Sequence, residues 1–142
     1  MLAKMNITTD TTPKQSSSAS ATAFSSTGYW SSTVSSYPAY VYDSNSTLYN
    51  YVENYRTYLE SQGAEIEEAR LIKKEELEAL GCSSSDYSCS SAPSWVYATR
   101  YWSGSASSSI YVWSVRSRGD FSCHDCSYGD IFGCRPVITL TL

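Results

Sequence analysis

The chain has 142 residues and a formal net charge of −4, with 10 Lys and Arg residues against 14 Asp and Glu residues. This length fits one domain that can bury a sizeable core. The net negative charge, without a basic stripe or a basic and aromatic array, argues against nucleic acid as a partner. There is neither a run of about eighteen apolar residues nor a signal-peptide core, so the sequence predicts no direct membrane span.

The N-terminal part differs in composition from the rest of the chain. The first 26 residues are rich in Ser and Thr, which predicts a flexible arm over residues 1–26, ahead of a domain over residues 27–142. Two short extended pieces are predicted at the start of this domain, over residues 29–34 and 37–42. Pro38 keeps the second piece short, because proline cannot donate to a strand ladder.

A first helix is predicted behind the polar cluster over residues 43–46, which has the composition of an N-cap. The apolar and aromatic residues behind it recur at helical spacing on one face: Leu48, Tyr51, Val52, Tyr55 and Leu59. Gly63 is expected to end the helix. We interpret the aromatic stripe as the face that docks on a sheet, and not as a ligand face.

A second helix is predicted over residues 73–80, ended by Gly81, with Lys74 and Glu78 as an i,i+4 ion pair. The stretch over residues 69–72 is interpreted as a short buried connection. Six acidic side chains in this region suggest either a metal site or a solvated surface: Glu65, Glu67, Glu68, Glu75, Glu76 and Glu78. Because Lys73 and Lys74 lie among them, we favour a solvated helical or loop surface.

Large aromatic residues alternate with small polar residues in the last third of the chain, as in short strands joined by tight turns. The alternation predicts that Trp113 and Val115 are buried. It also predicts that Ser114, Arg116 and Arg118 face solvent, as in a strand with one buried side and one solvent-exposed side.

The residue types of this region are restricted. After Glu78 the chain has no Lys, Glu, Gln, Asn or Met, and its charges are four Arg and four Asp, with the single His124. An ordinary solvent-facing surface is built largely from Lys and Glu. Tyr, Arg and small hydroxyl residues are instead typical of recognition surfaces.

Three motifs carry a resemblance to a known family: Trp95 with Tyr101-Trp102-x-Gly104-Ser105-Ala106, Val112-Trp113-x-Val115, and Gly133-x-Arg135-Pro136-Val137-Ile138. With them the chain resembles the variable proteins of diversity-generating retroelements, over residues 40–142 and most specifically from Trp95 onward. In that family, adenine-directed copying yields codons that cannot encode Lys, Glu, Gln, Met or Trp. The run over residues 114–131 obeys this exclusion.

The resemblance implies an α+β, C-type lectin-like fold, with two helices packed on a small irregular antiparallel sheet and a variable region over about residues 95–135. It implies a ligand-binding protein of receptor or adhesin type, without catalysis, that binds a protein or a surface glycan. The expected location is the cell surface or the extracellular space, with a tethering partner or an anchor segment outside this chain. The competing hypothesis is a structural cell-surface or pilus-like subunit with a polar interaction face.

The resemblance divides the residues into a framework and a contact set. The expected framework is Leu48, Val52, Leu77, Trp95, Trp102, Trp113, Val115, Val137 and Ile138. The candidate contact residues are Tyr97, Arg100, Ser107, Ser108, Ser109, Tyr111, Ser114, Arg116, Arg118, Asp120, Ser122, His124, Asp125, Ser127, Tyr128 and Asp130.

The five cysteines allow at most two intrachain disulfides. Cys82 and Cys89 flank a short polar loop. The sequence is compatible both with a disulfide between them and with two free thiols. Residues 123–126, Cys-His-Asp-Cys, suggest zinc or a redox dithiol. A second ligand pair is absent and no strand-to-helix setting follows, so we interpret these cysteines as substitutions in a diversified loop.

We expect no metal, no cofactor and no enzymatic activity. The last third of the chain has no Asn, Gln or Glu, so oxygen ligands are too few for the usual calcium cage of lectins. Its one histidine, His124, would need a residue that orients it as a catalytic base, and the adjacent Asp125 cannot do so across the same strand pleat. Formylglycine-generating enzymes share the implied fold, but their metal-supporting motif is not visible here.

Overall fold

The computed structural model describes residues 23–25, 34–129 and 132–141 of the chain. The predicted arm and the predicted strand over residues 29–34 lie outside the described residues, apart from 23–25 and Val34. Phe24 belongs to the predicted arm by sequence. Its side chain is nevertheless buried, with its ring centroid 6.0 Å from that of Trp102.

The described residues form an α+β structure with two α-helices and two antiparallel sheets. The elements in chain order are β1 (Ala39–Tyr40), α1 (Tyr49–Ser61), β2 (Ile66–Arg70), α2 (Lys74–Ala79), a 3₁₀ helix (Ser94–Tyr97), β3 (Tyr101–Ala106), β4 (Tyr111–Val115), β5 (Phe121–Asp125) and β6 (Val137–Leu140). The larger sheet has the order β1-β3-β4-β5, and β2 pairs with β6 in the smaller one. In this part of the chain, no helix is both long and apolar enough to cross a membrane.

Helix α1 confirms the first predicted helix, with Val52 and Tyr55 buried on its inner face. It ends just before Gly63, as expected. The polar cluster over residues 43–46 does not cap it, because Leu48 occupies the N-cap position. The cluster closes the preceding turn instead, where the Ser46 Oγ accepts a hydrogen bond of 3.0 Å from the Asp43 N–H.

Helix α2 confirms the second predicted helix, and Lys74 and Glu78 form the expected ion pair at 2.9 Å. Gly81 follows it with a φ of 118°, and a Cβ at this position would lie 2.9 Å from the Ala92 backbone. Both the backbone angle and the close approach therefore require glycine here.

The interpretation of Glu67 and Glu68 as part of a loop or helical surface is wrong, because residues 66–70 form strand β2. Ile66 is buried against Ile138 and Tyr55, while Glu67 and Glu68 are exposed. A strand at the edge of a two-stranded sheet needs only one apolar side. Glu67 and Glu68 are therefore solvated, as expected, but on a strand, whereas Glu76 and Glu78 in α2 are half-buried in ion pairs with Arg70 and Lys74. Of the predicted buried connection over residues 69–72, Leu71 and Ile72 are buried, and Ala69 and Arg70 are half-buried members of β2.

The larger sheet is covered on both faces, because the side chains of β4 alternate between two core clusters. The α2 cluster contains Ile72, Leu77, Tyr101, Trp113, Val115, Phe121 and Val137. The α1 cluster contains Phe24, Leu48, Val52, Trp102, Val112, Cys126 and Phe132. The predicted framework is confirmed as buried at every position except Trp95, which is half-buried.

This double coverage corrects one prediction. Trp113 and Val115 are buried and Arg118 is exposed, as expected, and Arg116 is half-buried. Ser114, however, is fully buried. It lies on the side of β4 that faces the α1 cluster, which the sequence pattern had assigned to solvent. A serine fits there because its hydroxyl finds hydrogen-bond partners inside the sheet.

Candidate functional site

Most candidate contact residues lie on or beside the hairpin formed by β4 and β5. The register pairs Val115 with Phe121 at the turn and Tyr111 with Asp125 at the opposite, open end. The turn between the strands is closed by a hydrogen bond of 2.9 Å from the Arg116 N–H to the Asp120 carbonyl. Because the strands run between these ends, the candidates fall into two outer groups and one middle group.

The turn group consists of Tyr97, Arg100, Arg118 and Asp120. Tyr97 lies next to Gly119, because a Cβ atom added at Gly119 would be 3.9 Å from the Tyr97 ring. Arg100 is exposed and directly precedes the first residue of β3. Arg118 and Asp120 form an exposed ion pair at 3.4 Å, which contributes little to stability and leaves both side chains accessible.

The open-end group consists of Ser107, Ser108, Ser109, Tyr111, Asp125, Ser127 and Tyr128. Tyr111 and Tyr128 are 44% and 46% exposed, and Ile110 between the strands is 41% exposed. Sequence analysis missed Ile110, although an aliphatic residue among turn serines is itself a signal of an exposed apolar group. The group therefore combines apolar contact area with small hydroxyl groups.

Asp125 organises the loop at this end. Its carboxylate accepts hydrogen bonds from the Ser127 hydroxyl at 2.7 Å and from the Ser127 N–H at 2.9 Å. These hydrogen bonds hold the pKa of Asp125 below its ordinary value. The charge is therefore retained at neutral pH and fixes the start of the loop.

The middle group joins Ser114, Ser122 and His124 to the side chain of Arg116. His124 Nδ1 lies 3.0 Å from Ser114 Oγ, and His124 Nε2 lies 3.0 Å from an Arg116 guanidinium nitrogen. Since arginine can only donate, Nε2 accepts and Nδ1 carries the proton. The Ser114 hydroxyl accepts from Nδ1 and donates to the Ser122 carbonyl at 3.1 Å.

This arrangement fixes a neutral imidazole. Burial lowers the pKa of His124, and the positive charge of Arg116 lowers it further. Ser114 and Arg116 hold the ring from the neighbouring strand, whereas the carboxylate of the adjacent Asp125 accepts hydrogen bonds from Ser127. The pair was not recognisable from the sequence, since it depends on the strand register. As both ring nitrogens are already bonded, His124 is placed as a structural support for Arg116.

The cysteine pair at positions 82 and 89 forms a disulfide. Its loop pairs with the hairpin turn, through a bridge between Ser88 and Asp120 and a hydrogen bond of 3.1 Å from the Phe121 N–H to the Tyr87 carbonyl. The disulfide loop therefore anchors the turn group. Tyr87, which is 62% exposed at the tip of this loop, is a further candidate that sequence analysis missed.

The other three cysteines are free: Cys123, Cys126 and Cys134. Burial raises the pKa of all three thiols, for Cys134 to about 12. Protonated thiols are poor nucleophiles and poor metal ligands. Within residues 23–25, 34–129 and 132–141, no three His, Cys, Asp or Glu side chains are placed to hold a metal ion.

One candidate contact residue, Asp130, lies outside the described residues. The chain matches no family model, no curated protein and no solved structure. The resemblance to retroelement variable proteins and the C-type lectin-like fold therefore stay predictions.

Proposed function

We propose that the protein is a ligand-binding domain of receptor or adhesin type, a retroelement variable protein with a C-type lectin-like fold. Its ligand face is the β4–β5 hairpin with the loops at both ends. The observation that carries the proposal is the division of this hairpin. Trp113 and Phe121 in its strands are buried, whereas Tyr111, Arg118 and Tyr128 project into solvent.

This division is what a replaceable recognition surface requires. Surface substitutions usually change the free energy of unfolding by less than about 0.5 kcal/mol, whereas emptying a buried aromatic site costs about 3–5 kcal/mol. Residues at the hairpin ends can therefore vary while the framework keeps the fold. Tyrosine and arginine also supply large contact areas in recognition surfaces.

The spacing of the two exposed groups favours a macromolecular ligand. A strand rises by about 3.4 Å per residue, so the turn group and the open-end group are separated by roughly 14 Å along the five residues of β4. A protein interface buries about 800 Å² on each partner, which is wide enough to cover both groups. A small ligand would contact only one.

The disulfide supports a location at the cell surface or outside the cell, because disulfides persist in oxidising compartments. The disulfide loop also pairs with the turn of the hairpin, so the order of the ligand face depends on a bond that forms under oxidising conditions. This supports the receptor or adhesin type over an intracellular role.

The proposal is tested by presenting the biotinylated protein to arrays of surface proteins and of glycans. Wild-type protein and a Tyr37→Ser control should bind the same discrete ligand, because Tyr37 is exposed next to β1, at the opposite edge of the sheet. A Tyr111→Ser/Tyr128→Ser variant should bind it at least about tenfold more weakly.

Equal binding by the double variant would contradict the assignment of the ligand face. If wild-type protein binds no array member but self-associates in light scattering, and the double variant does not, the competing structural-subunit function is supported instead.

A further inference from the structure

Arg116 is a half-buried cation that has no acidic partner among the residues that the structure describes. Arg70 forms a bidentate ion pair with Glu76 at 2.7 and 2.8 Å, and buried Arg135 donates to two backbone carbonyls. Among the described residues, the hydrogen-bond partner of the Arg116 guanidinium is the neutral ring of His124, at 3.0 Å. Arg116 forms no ion pair with any described residue, and its Nε is buried without a hydrogen-bond partner among them.

The guanidinium of Arg116 is also held in position. His124 accepts from one of its nitrogens and is itself fixed through Ser114. The guanidinium lies over the Phe132 ring, whose centroid is 5.9 Å from Arg116 Cζ and 4.8 Å from the centroid of the His124 ring. A guanidinium fixed in this way loses little conformational entropy when it binds a partner.

The two acidic side chains in the described part of the hairpin have other partners. Asp120 pairs with Arg118 at 3.4 Å, and Asp125 accepts two hydrogen bonds from Ser127. The charge of Arg116 is therefore not balanced within the described part of the hairpin. A partly desolvated cation without a counter-ion is costly, and a carboxylate supplied by a ligand would offset that cost.

We propose that Arg116 binds a carboxylate group of a protein ligand, an Asp or Glu side chain, through Nη1, the guanidinium nitrogen that is neither bonded to His124 nor buried without a partner. This inference rests on the proposed function and names the chemistry that its ligand face recognises. Tyr128, whose ring lies 6.1 Å from that of His124, provides adjoining contact area. The exposed aliphatic Ile110 and the exposed Tyr111 at the open end favour a protein surface over an acidic sugar.

The test is an NMR titration of ¹⁵N-labelled protein with two matched probes, the blocked tripeptides Gly-Asp-Gly and Gly-Asn-Gly, at constant ionic strength. The Arg116 Nε–H signal, assigned through an Arg116→Lys variant, should shift saturably with the Asp peptide. The dissociation constant of the Asn peptide should be at least about tenfold higher, since it lacks the charge. The Arg118 signal serves as the exposed control and should not saturate.

Three results would overturn the inference. The first is an equal shift with the Asn peptide or with sodium chloride, and the second is equal saturation at Arg118. The third is tighter binding of N-acetylneuraminate than of the Asp peptide, which would assign the site to an acidic sugar. If the Arg116→Lys variant does not fold, the Nε–H signal is assigned by through-bond correlation to the Arg116 backbone, and the wild-type titration still decides these outcomes.

Failure of this inference is distinguishable from failure of the proposed function. If Arg116→Gln, which removes the charge, binds the array ligand as wild type does, while Tyr111→Ser/Tyr128→Ser does not, the ligand face stands and the carboxylate site is wrong. If neither variant changes array binding, the ligand face itself is wrong.

Discussion

Replacing Trp102 with alanine removes the largest of the fully buried side chains in the described part of the chain. Its ring centroid lies 4.7 Å from that of Phe132 and 6.0 Å from that of Phe24, so the substitution opens a space between two aromatic side chains. A tryptophan buries roughly 150–250 Å², which at about 25 cal/mol per Å² amounts to about 4–6 kcal/mol. Since measured Trp→Ala losses are about 3–5 kcal/mol, we expect a loss of about 4 kcal/mol.

The matched comparison is a triple variant of the exposed face, Tyr111→Ser/Arg118→Ser/Tyr128→Ser. The Arg118 side chain is 77% exposed, and both tyrosines are exposed by more than two-fifths. Each substitution should change the free energy of unfolding by less than about 0.5 kcal/mol. At about 3 °C per kcal/mol for a chain of this size, the expected decreases in Tm are roughly 12 °C for Trp102→Ala and less than about 5 °C for the triple variant.

Urea unfolding followed by tryptophan fluorescence and far-ultraviolet circular dichroism measures both variants. The transitions from the two probes should coincide, which licenses a two-state comparison of free energies. If the triple variant loses as much stability as Trp102→Ala, the exposed residues support the fold and the division between framework and face is wrong. A loss below about 1 kcal/mol for Trp102→Ala would also contradict this division, because the buried tryptophan would then contribute little to the stability of the framework.

Three further predictions concern the supports of the hairpin and of the small sheet. Arg135→Lys should lose about 2–4 kcal/mol in urea unfolding, because lysine cannot reproduce the two guanidinium hydrogen bonds to backbone carbonyls at 2.6 and 3.2 Å. Replacing Cys82 and Cys89 with serine should lose about 2 kcal/mol, and should speed hydrogen exchange of the amides that bond to the disulfide loop. Burial opposes ionisation of Glu76, but hydrogen bonds from Arg70 and a backbone N–H outweigh it and lower its pKa. Stability from this pair is therefore present above the ordinary value of 4.5 and is lost as the pH falls through the lowered pKa, so Arg70→Gln should lessen the loss of Tm on acidification.

Each of these predictions has a result that would contradict it. Unchanged stability of Arg135→Lys would mean that its hydrogen bonds contribute nothing net to folding. Unchanged amide exchange in the disulfide variant would show that the loop does not hold the hairpin turn. Parallel pH profiles for wild type and Arg70→Gln would show that the Glu76 ion pair does not cause the acid sensitivity.

The two helices could be predicted because their signals are local. Apolar spacing sets the inner face of α1 over a few turns, and the glycines at positions 63 and 81 mark where each helix stops. Strand β2 was missed because its exposed glutamates mimic a solvated helix or loop. It forms a strand because it pairs with β6, and the paired residues Arg70 and Val137 are 67 positions apart in the sequence. Such pairing leaves no local mark in the sequence.

The candidate site was only partly predictable for the same reason. Exposure at the hairpin ends follows from residue type, so Tyr111, Arg118 and Tyr128 could be identified. Burial of Ser114 depends on Trp102 and Phe132 covering the other face of the sheet, which alternation within one strand does not show. The bond between Arg116 and His124 depends likewise on the register of β4 with β5.

The claim that a constant framework carries an interchangeable ligand face is tested most directly by sequencing this locus, with its surroundings, from many cells of its source population. The account predicts adenine-directed substitutions at codons for exposed residues such as Arg118, Ser127 and Tyr128, and none at Trp102 or Trp113. It also predicts a nearby reverse transcriptase gene with an adenine-rich template repeat that matches the segment from Trp95 onward. Copies that are identical throughout and lack such a repeat, or substitutions as frequent at Trp102 as at Tyr128, would contradict it.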